Sequence, residues 1–382
     1  MTMLTRSTRA ARLALILGLC WITAARSETI VIDGVTRTFT AQLPAARPAP
    51  LVIVLHGKTQ TGADMMTRTS WPHVAKRERF GVVFPDGLNR AWADLRFDAK
   101  RAFGGPPEGT DDVAFITRII EKHIADGSAD PKRIYLTGVS NGGAMAMTLV
   151  CQRADLVAAA ASVIMNLTDD LGAACHPSRP VPMLMMNGTA DPLIPYEGGR
   201  GSRRIVTRGV WSTAQTIAFW RRINGCETGD GNAVDLDDID GSDRSTVTRI
   251  DSRCPAGRDV VLYRINNGGH RMPGAFPDAR FMRAVNLTLG PQNHDTRRRR
   301  NDLGFFQRIS LSGRRRRSAA CINRINQSQE AGAGEGNRTL VCSLGSSTFL
   351  NHPKRLAAKP SASAPRQIKG LRRQSKTPSS SR

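Results

Sequence analysis

Residues 133–150 read RIYLTGVSNGGAMAMTLV, a strand, a turn and a helix written in one stretch. Ile134–Thr137 form a short apolar run, and from Gly143 onward the apolar residues continue with helical character. Between them stands Gly138-Val139-Ser140-Asn141-Gly142, a G-x-S-x-G sequence. A serine held on a sharp turn between strand and helix needs neighbours without Cβ atoms, which would strike the strand on one side and the helix on the other. The bare string is weak evidence; its place after a strand and before a helix gives it weight.

Upstream, Leu51–Leu55 is a continuous apolar run entered by Pro50, the pattern of a strand buried on both faces of a mostly parallel sheet. LHGKTQTG (55–62) follows it. Its GKT could close a phosphate-binding loop, but that loop needs a glycine at position 52, where Val52 stands. GVVFPDG supplies another buried strand at Val82–Phe84, and a helical stretch near 63–78 separates the two. Residues 112–126 carry Val113, Phe115, Ile116, Ile119, Ile120 and Ile124 at helical spacing. VPMLMMNGTADP and VVLYRINNGGH repeat the pattern of an apolar strand opening into a polar loop. Alternating strands and helices predict an α/β fold with a mostly parallel central sheet and helices on both faces, preceded by a hairpin turning at Asp33-Gly34.

A serine hydroxyl needs a base, and the base a carboxylate that holds its tautomer and steadies the imidazolium. In α/β-hydrolases these follow in the order Ser, Asp or Glu, His, each after a later strand. Asp191 follows Met183–Met186 and His270 follows Val260–Tyr263, which predicts the catalytic set Ser140, Asp191 and His270. The second oxyanion donor of that fold comes from the loop after an early strand, so the backbone N–H groups of Lys58 and Asn141 are the expected pair.

The net charge of +23 suggests a nucleic-acid binder until it is apportioned. Residues 28–290 hold 31 Lys and Arg against 28 Asp and Glu; residues 291–382 hold 20 against 4, and residues 1–27 hold 4 against none. The excess sits at the chain ends, and no nucleic-acid partner is expected. At the N-terminus, Arg6, Arg9 and Arg12 precede the apolar run 13–25, too short for a membrane span; residues 1–27 read as a signal peptide cleaved after Ser27. A secreted, periplasmic or extracellular protein follows, with no stable membrane insertion after cleavage. Export makes Cys151, Cys175, Cys226 and Cys254 disulfide candidates; four cysteines allow three connectivities, and the sequence-local Cys151–Cys175 with Cys226–Cys254 is preferred. No zinc spacing occurs, and the acidic segment 232–246 lacks the closing Glu of a calcium loop, so it reads as a solvated loop and no metal is expected.

LHGKTQTG, VVFPDGLNRAW, GTDDVAFI, TGVSNGGAMA, NGTADPLIPY, FWRRINGC and NGGHRMPG, in that order over residues 28–290, resemble the secreted esterases of the polyhydroxybutyrate depolymerase type, a family that includes feruloyl and acetylxylan esterases. The resemblance implies a single α/β-hydrolase domain over 28–292, ester hydrolysis through an acyl-enzyme on a small or polymeric ester, no cofactor, and the same triad. It suggests that Trp92 lines the substrate cleft, a packed core position being the other reading. Where the family commonly has an aromatic residue two positions after the histidine, this chain has Met272, which stacks less well on an aromatic acyl group such as ferulate. From residue 293 a basic, low-periodicity tail replaces the apolar closing helix of the family, and GAGEGNRTLVCSLGSS resembles translation through a transfer-RNA gene. A frameshift near residue 295, leaving an aberrant C-terminus and an impaired enzyme, is the competing expectation.

Overall fold

A computed structural model describes residues 25–94, 104–199, 209–275 and 289–295. Residues 1–24, most of the expected signal peptide 1–27, and residues from 296, most of the expected tail, lie outside the described residues.

Ten strands form one sheet in the order β1-β2-β4-β3-β5-β6-β7-β10-β9-β8. β1 (Arg26–Ile32) and β2 (Val35–Gln42) make the expected antiparallel hairpin, with Asp33 and Gly34 both at positive φ in its two-residue turn. β1 begins at Arg26, ahead of the expected cleavage point after Ser27. The centre is parallel: β4 (Gly81–Pro85), β3 (Ala49–Leu55), β5 (Ala129–Val139), β6 (Ala159–Val163), β7 (Met183–Gly188) and β10 (Val260–Asn266). β9 (Thr246–Asp251) and β8 (Asn232–Asp235) close the far edge antiparallel. This is the α/β-hydrolase arrangement that the strand and helix alternation predicted.

The run read as buried on both faces divides as a strand must. Leu51, Ile53 and Leu55 join one apolar cluster with α3 (Asp112–Ala125), α4 (Asn141–Arg153) and α6 (Thr213–Asn224). Val52 and Val54 join the other, with Met65 of α1 (Gly62–Arg68) and Trp71, Val74 and Ala75 of α2 (Trp71–Glu78). Each fully buried side chain of this size contributes about 1.5–3 kcal/mol. The single helical stretch expected near 63–78 is two helices, because α1 closes at Thr69 and Ser70 is the N-cap of a new helix with Pro72 in its first turn. The short α5 (Asp169–Ala174) is capped by the Thr168 side chain. Both sequence-local disulfides, Cys151–Cys175 and Cys226–Cys254, are present.

Two boundaries move. The acidic segment 232–246 is not wholly a solvated loop, since Asn232–Asp235 form β8 on the sheet edge. The tail does not start at 293: Asn293 and Asp295 are almost fully buried, and the Asp295 carboxylate accepts the backbone N–H groups of Ile239 and Asp240 at 2.8 and 3.0 Å. The turn-rich acidic loop is thus the anchor of residues 289–295. No described helix is long and apolar enough to cross a membrane.

Candidate active site

Parallel strands end on one edge of the sheet, and there β3, β5, β7 and β10 deliver Lys58, Ser140, Asp191 and His270. Ser140 has φ 54° and ψ −118°, a conformation that few non-glycine residues adopt. The flanking glycines are dictated by space. A Cβ on Gly138 would lie 2.0 Å from the carbonyl oxygen of Gly142, and one on Gly142 would lie 2.5 Å from those of Leu55 and His56. The G-x-S-x-G requirement is therefore one of contact between β5, the start of α4 and the end of β3.

The three side chains meet. The Ser140 hydroxyl donates to His270 Nε2 at 2.9 Å, and His270 Nδ1–H donates to Asp191 Oδ2 at 2.7 Å. Asp191 is buried, and its other oxygen accepts the backbone N–H groups of Leu193 and Ile194, both at 2.8 Å. One Asp191 oxygen thus caps the turn and the other faces the imidazole. His270 itself is tied by its backbone N–H to the carbonyl of Leu289 at 2.6 Å, and Gly269 to that of Pro291 at 2.8 Å.

Asn141 opens α4, so its backbone N–H is one of the first-turn donors with no acceptor inside the helix. Its side chain is fully engaged: Oδ1 accepts the backbone N–H of Trp92 at 2.7 Å, and Nδ2 donates to Asp94 at 2.6 Å and to the Trp92 carbonyl at 3.1 Å. Trp92 is not a cleft residue. It is fully buried, its indole N–H donates to the His56 carbonyl at 2.8 Å, and its ring packs against the His56 ring at 4.7 Å. Its bonds to Asn141 and to the His56 carbonyl hold the tryptophan in the core, beneath the loop that follows β3.

His56 accepts the backbone N–H of Gly87 at Nε2, which leaves Nδ1 as the protonated nitrogen donating to the Gly57 carbonyl. Burial pushes its pKa below the ordinary 6.5. A second buried support lies behind it. Arg37 pairs with Asp112 at 2.5 Å, Asp112 also accepts the Ala93 N–H at 2.7 Å, and the Arg37 guanidinium lies 4.1 Å over the Phe115 ring. Desolvation raises the pKa of Asp112, and Arg37 opposes that rise. Sequence reading missed the roles of Asp94, Asp112 and the side chain of His56, although LHGKTQTG contains His56 and GTDDVAFI contains Asp112.

A cavity of about 480 Å³ opens beside Ser140 and His270, with Lys58 and Met272 both on its wall. The two substrate-side expectations therefore part, Met272 standing in the cavity and Trp92 in the core. Among the described residues, Asp240, Asp243 and His294 lie close enough to share a cation. Their carboxylates already accept from Ser242, Ser245, the His294 N–H and the His294 ring, which accounts for the cluster as a turn anchor.

Fold and site together define the class: an α/β-hydrolase with a serine, a histidine and an aspartate in hydrogen-bonded sequence at the sheet edge. Residues 39–174 match the family described as "Esterase PHB depolymerase". Among relatives, the chain is 29% identical over 240 residues to feruloyl esterase B of Piromyces equi, covering 59% of this chain and 40% of that one. It is 30% identical over 123 residues to poly(3-hydroxyalkanoate) depolymerase C of Paucimonas lemoignei, covering 32% and 29%. It thus spans less than half the length of either. An acetyl xylan esterase structure from Aspergillus awamori aligns with a TM-score of 0.45 at 12% identity, covering 63% of this chain and 92% of that one. The resemblance drawn from the motifs stands. The family match includes Lys58, Ser140 and Asn141 and ends before Asp191 and His270.

Proposed function

We propose that this protein is a serine esterase that cleaves carboxylic esters through an acyl-enzyme. The observation that carries the reading is the unbroken sequence of hydrogen bonds Ser140–His270–Asp191 opening onto a cavity. Ser140 Oγ attacks the ester carbonyl carbon while its proton passes to His270 Nε2, and Asp191 steadies the imidazolium. The carbonyl oxygen, now an anion, faces the backbone N–H groups of Lys58 and Asn141. Collapse expels the alcohol, which takes the proton from His270. Water then attacks the acyl-enzyme with His270 again as base, the free acid leaves, and Ser140 recovers its proton.

For substrate we infer hydroxyalkanoate oligomers or acyl esters of plant polysaccharide, in keeping with the printed activities of the relatives. A thioether at Met272 favours aliphatic over aromatic acyl groups. The two disulfides accord with export behind a cleaved signal segment. The test is hydrolysis of p-nitrophenyl butyrate by residues 28–382 beside Ser140→Ala. Turnover that vanishes in the variant is expected; a soluble, cooperatively melting protein without turnover would overturn the reading. Intact mass of the protein from its native locus decides the frameshift alternative, which a product ending at Arg382 would remove.

A further inference from the structure

Ile164 is the first residue after β6 and has φ 49°; among the described residues it is the only aliphatic side chain at positive φ. A β-branched side chain crowds its own backbone there, where glycine or asparagine fits with little strain. Hydrogen bonds pin the turn. The Val163 carbonyl accepts the Ser140 backbone N–H at 2.8 Å, the Ile164 N–H donates to the Met186 carbonyl at 2.7 Å, and the Met165 N–H donates to Asn187 Oδ1 at 3.2 Å. None of these bonds uses the side chain at 164, so the turn itself does not call for an isoleucine.

That side chain stands beside the chemistry. Val163 holds the backbone N–H of the nucleophile, so Ile164 begins one peptide link beyond the Ser140 contact. Ile164 is 3% exposed and belongs to one apolar cluster with Met65 and Val139, against which Met272 packs. All four border the cavity, which gives it an apolar side next to the serine. Of the four groups on the tetrahedral carbon, one is Ser140 Oγ, the oxyanion turns to the backbone donors, and the leaving oxygen lies at His270 Nε2. The acyl chain takes the remaining direction, and an aliphatic chain needs an apolar wall.

We propose that Ile164 closes the acyl side of the cavity and sets the length of the aliphatic acyl chain that the site accepts. The proposal rests on the esterase reading above and adds to it a specificity-determining residue. A strained side chain at a position where glycine would be relaxed, in contact with the site, points to a function for the side chain itself. A shorter side chain at 164 opens space beyond the acyl carbon, and longer chains then enter.

The experiment measures kcat/KM for p-nitrophenyl butyrate and p-nitrophenyl hexanoate with the full chain and with Ile164→Val, Ile164→Ala and Ile164→Gly. Wild type is expected to favour the butyrate. Since one methylene in an apolar pocket changes kcat/KM by roughly 10–200-fold, Ile164→Ala should raise the hexanoate-to-butyrate ratio about tenfold or more. Ile164→Val, which removes a single methylene, shifts the ratio less and in the same direction, and it carries the test if the larger deletions fail to fold. Ile164→Gly shifts it as alanine does and, relaxed at positive φ, melts above Ile164→Ala; the reverse order of melting overturns the reading of the turn. A ratio that stays constant while both rates fall is the mark of packing alone and overturns the proposal, with the esterase reading intact. Ethyl and hexyl butyrate, followed by release of butyrate, vary the alcohol instead; a shift in that series and not in the acyl one overturns the acyl placement. No turnover of p-nitrophenyl butyrate by wild type overturns the esterase reading and the proposal with it.

Discussion

Ser140 ends a strand with parallel neighbours on both sides, above buried side chains that bond one another, whereas His270 lies in a loop whose fixed points are backbone pairs with residues 289–291. On the serine side, Asn141, Trp92, Asp94, His56, Arg37 and Asp112 link three separate loops. On the histidine side, Leu289 and Pro291 hold the loop, and Asp295 ties their segment to the acidic turn at 239–243. The first half is fixed by polar groups deprived of water, where each lost partner is costly. The second is fixed by a short stretch of chain held by backbone pairs, by the buried Asp295 carboxylate and by the bonds of Gln292, Asn293 and His294 to the neighbouring loops. The serine side should therefore fail as a unit, and the histidine side should loosen without unfolding.

The largest expected effect separates chemistry from support. Asp191→Asn reverses the donor and acceptor facing His270 and should lower kcat by about 10⁴, with the melting temperature little changed; steady-state kinetics and a thermal melt check both. A variant retaining a tenth of wild-type kcat would count against the role of Asp191.

Next comes the support beneath the serine. Arg37→Met strands the Asp112 carboxylate and should cost about 3–5 kcal/mol in denaturant unfolding. A loss under 1 kcal/mol would mean that the pair is not buried as described. Asn141→Ala leaves the buried Trp92 N–H without its acceptor and removes one donor to Asp94, a loss of about 1–3 kcal/mol for a buried group. It also frees the helix start that carries an expected oxyanion donor, so kcat should fall with KM nearly constant. On the other side of the comparison, Asp295→Ala should cost about 1.5–3 kcal/mol and lower kcat through the His270 loop. Hydrogen exchange should then quicken at residues 269–274 and not at 138–145; quickening at both would erase the distinction.

The smallest effect is one of pH. Burial lowers the pKa of His56 and of His123 below 6.5, so the unfolded chain binds protons that the folded chain refuses. Their contribution is full above pH 6.5 and is lost as pH falls through the lowered folded values. The melting temperature should decline between about pH 7.5 and about pH 5.5, and the decline should be shallower in His56→Gln, whose side chain does not titrate. An equal slope in the two proteins would remove His56 as a cause.

Much of this was readable because the informative residues are extreme. Five consecutive branched aliphatics entered by a proline favour a buried strand, and G-x-S-x-G set between a strand and a helix favours a sharp turn at the serine. The order Ser140, Asp191, His270 needed no contact information, since parallel strands place their ends together. What escaped was decided by tertiary context. β6 is mostly alanine, the residue of highest helix propensity, and is a strand only because β5 and β7 flank it. β8 is exposed along its whole length, so no alternation marks it. Trp92 stands in a loop and is held in the core by Asn141 and His56, far away in sequence. Asp295 precedes a run of arginines and reads as part of it; only the fold shows it buried beneath the acidic turn.

The most direct test of the central claim is covalent. Protein treated with an alkyl fluorophosphonate and digested should carry one adduct, on the peptide holding Ser140, and Asp191→Asn should label much more slowly. An adduct on another residue, or active protein that hydrolyses esters yet takes no label, would contradict the account.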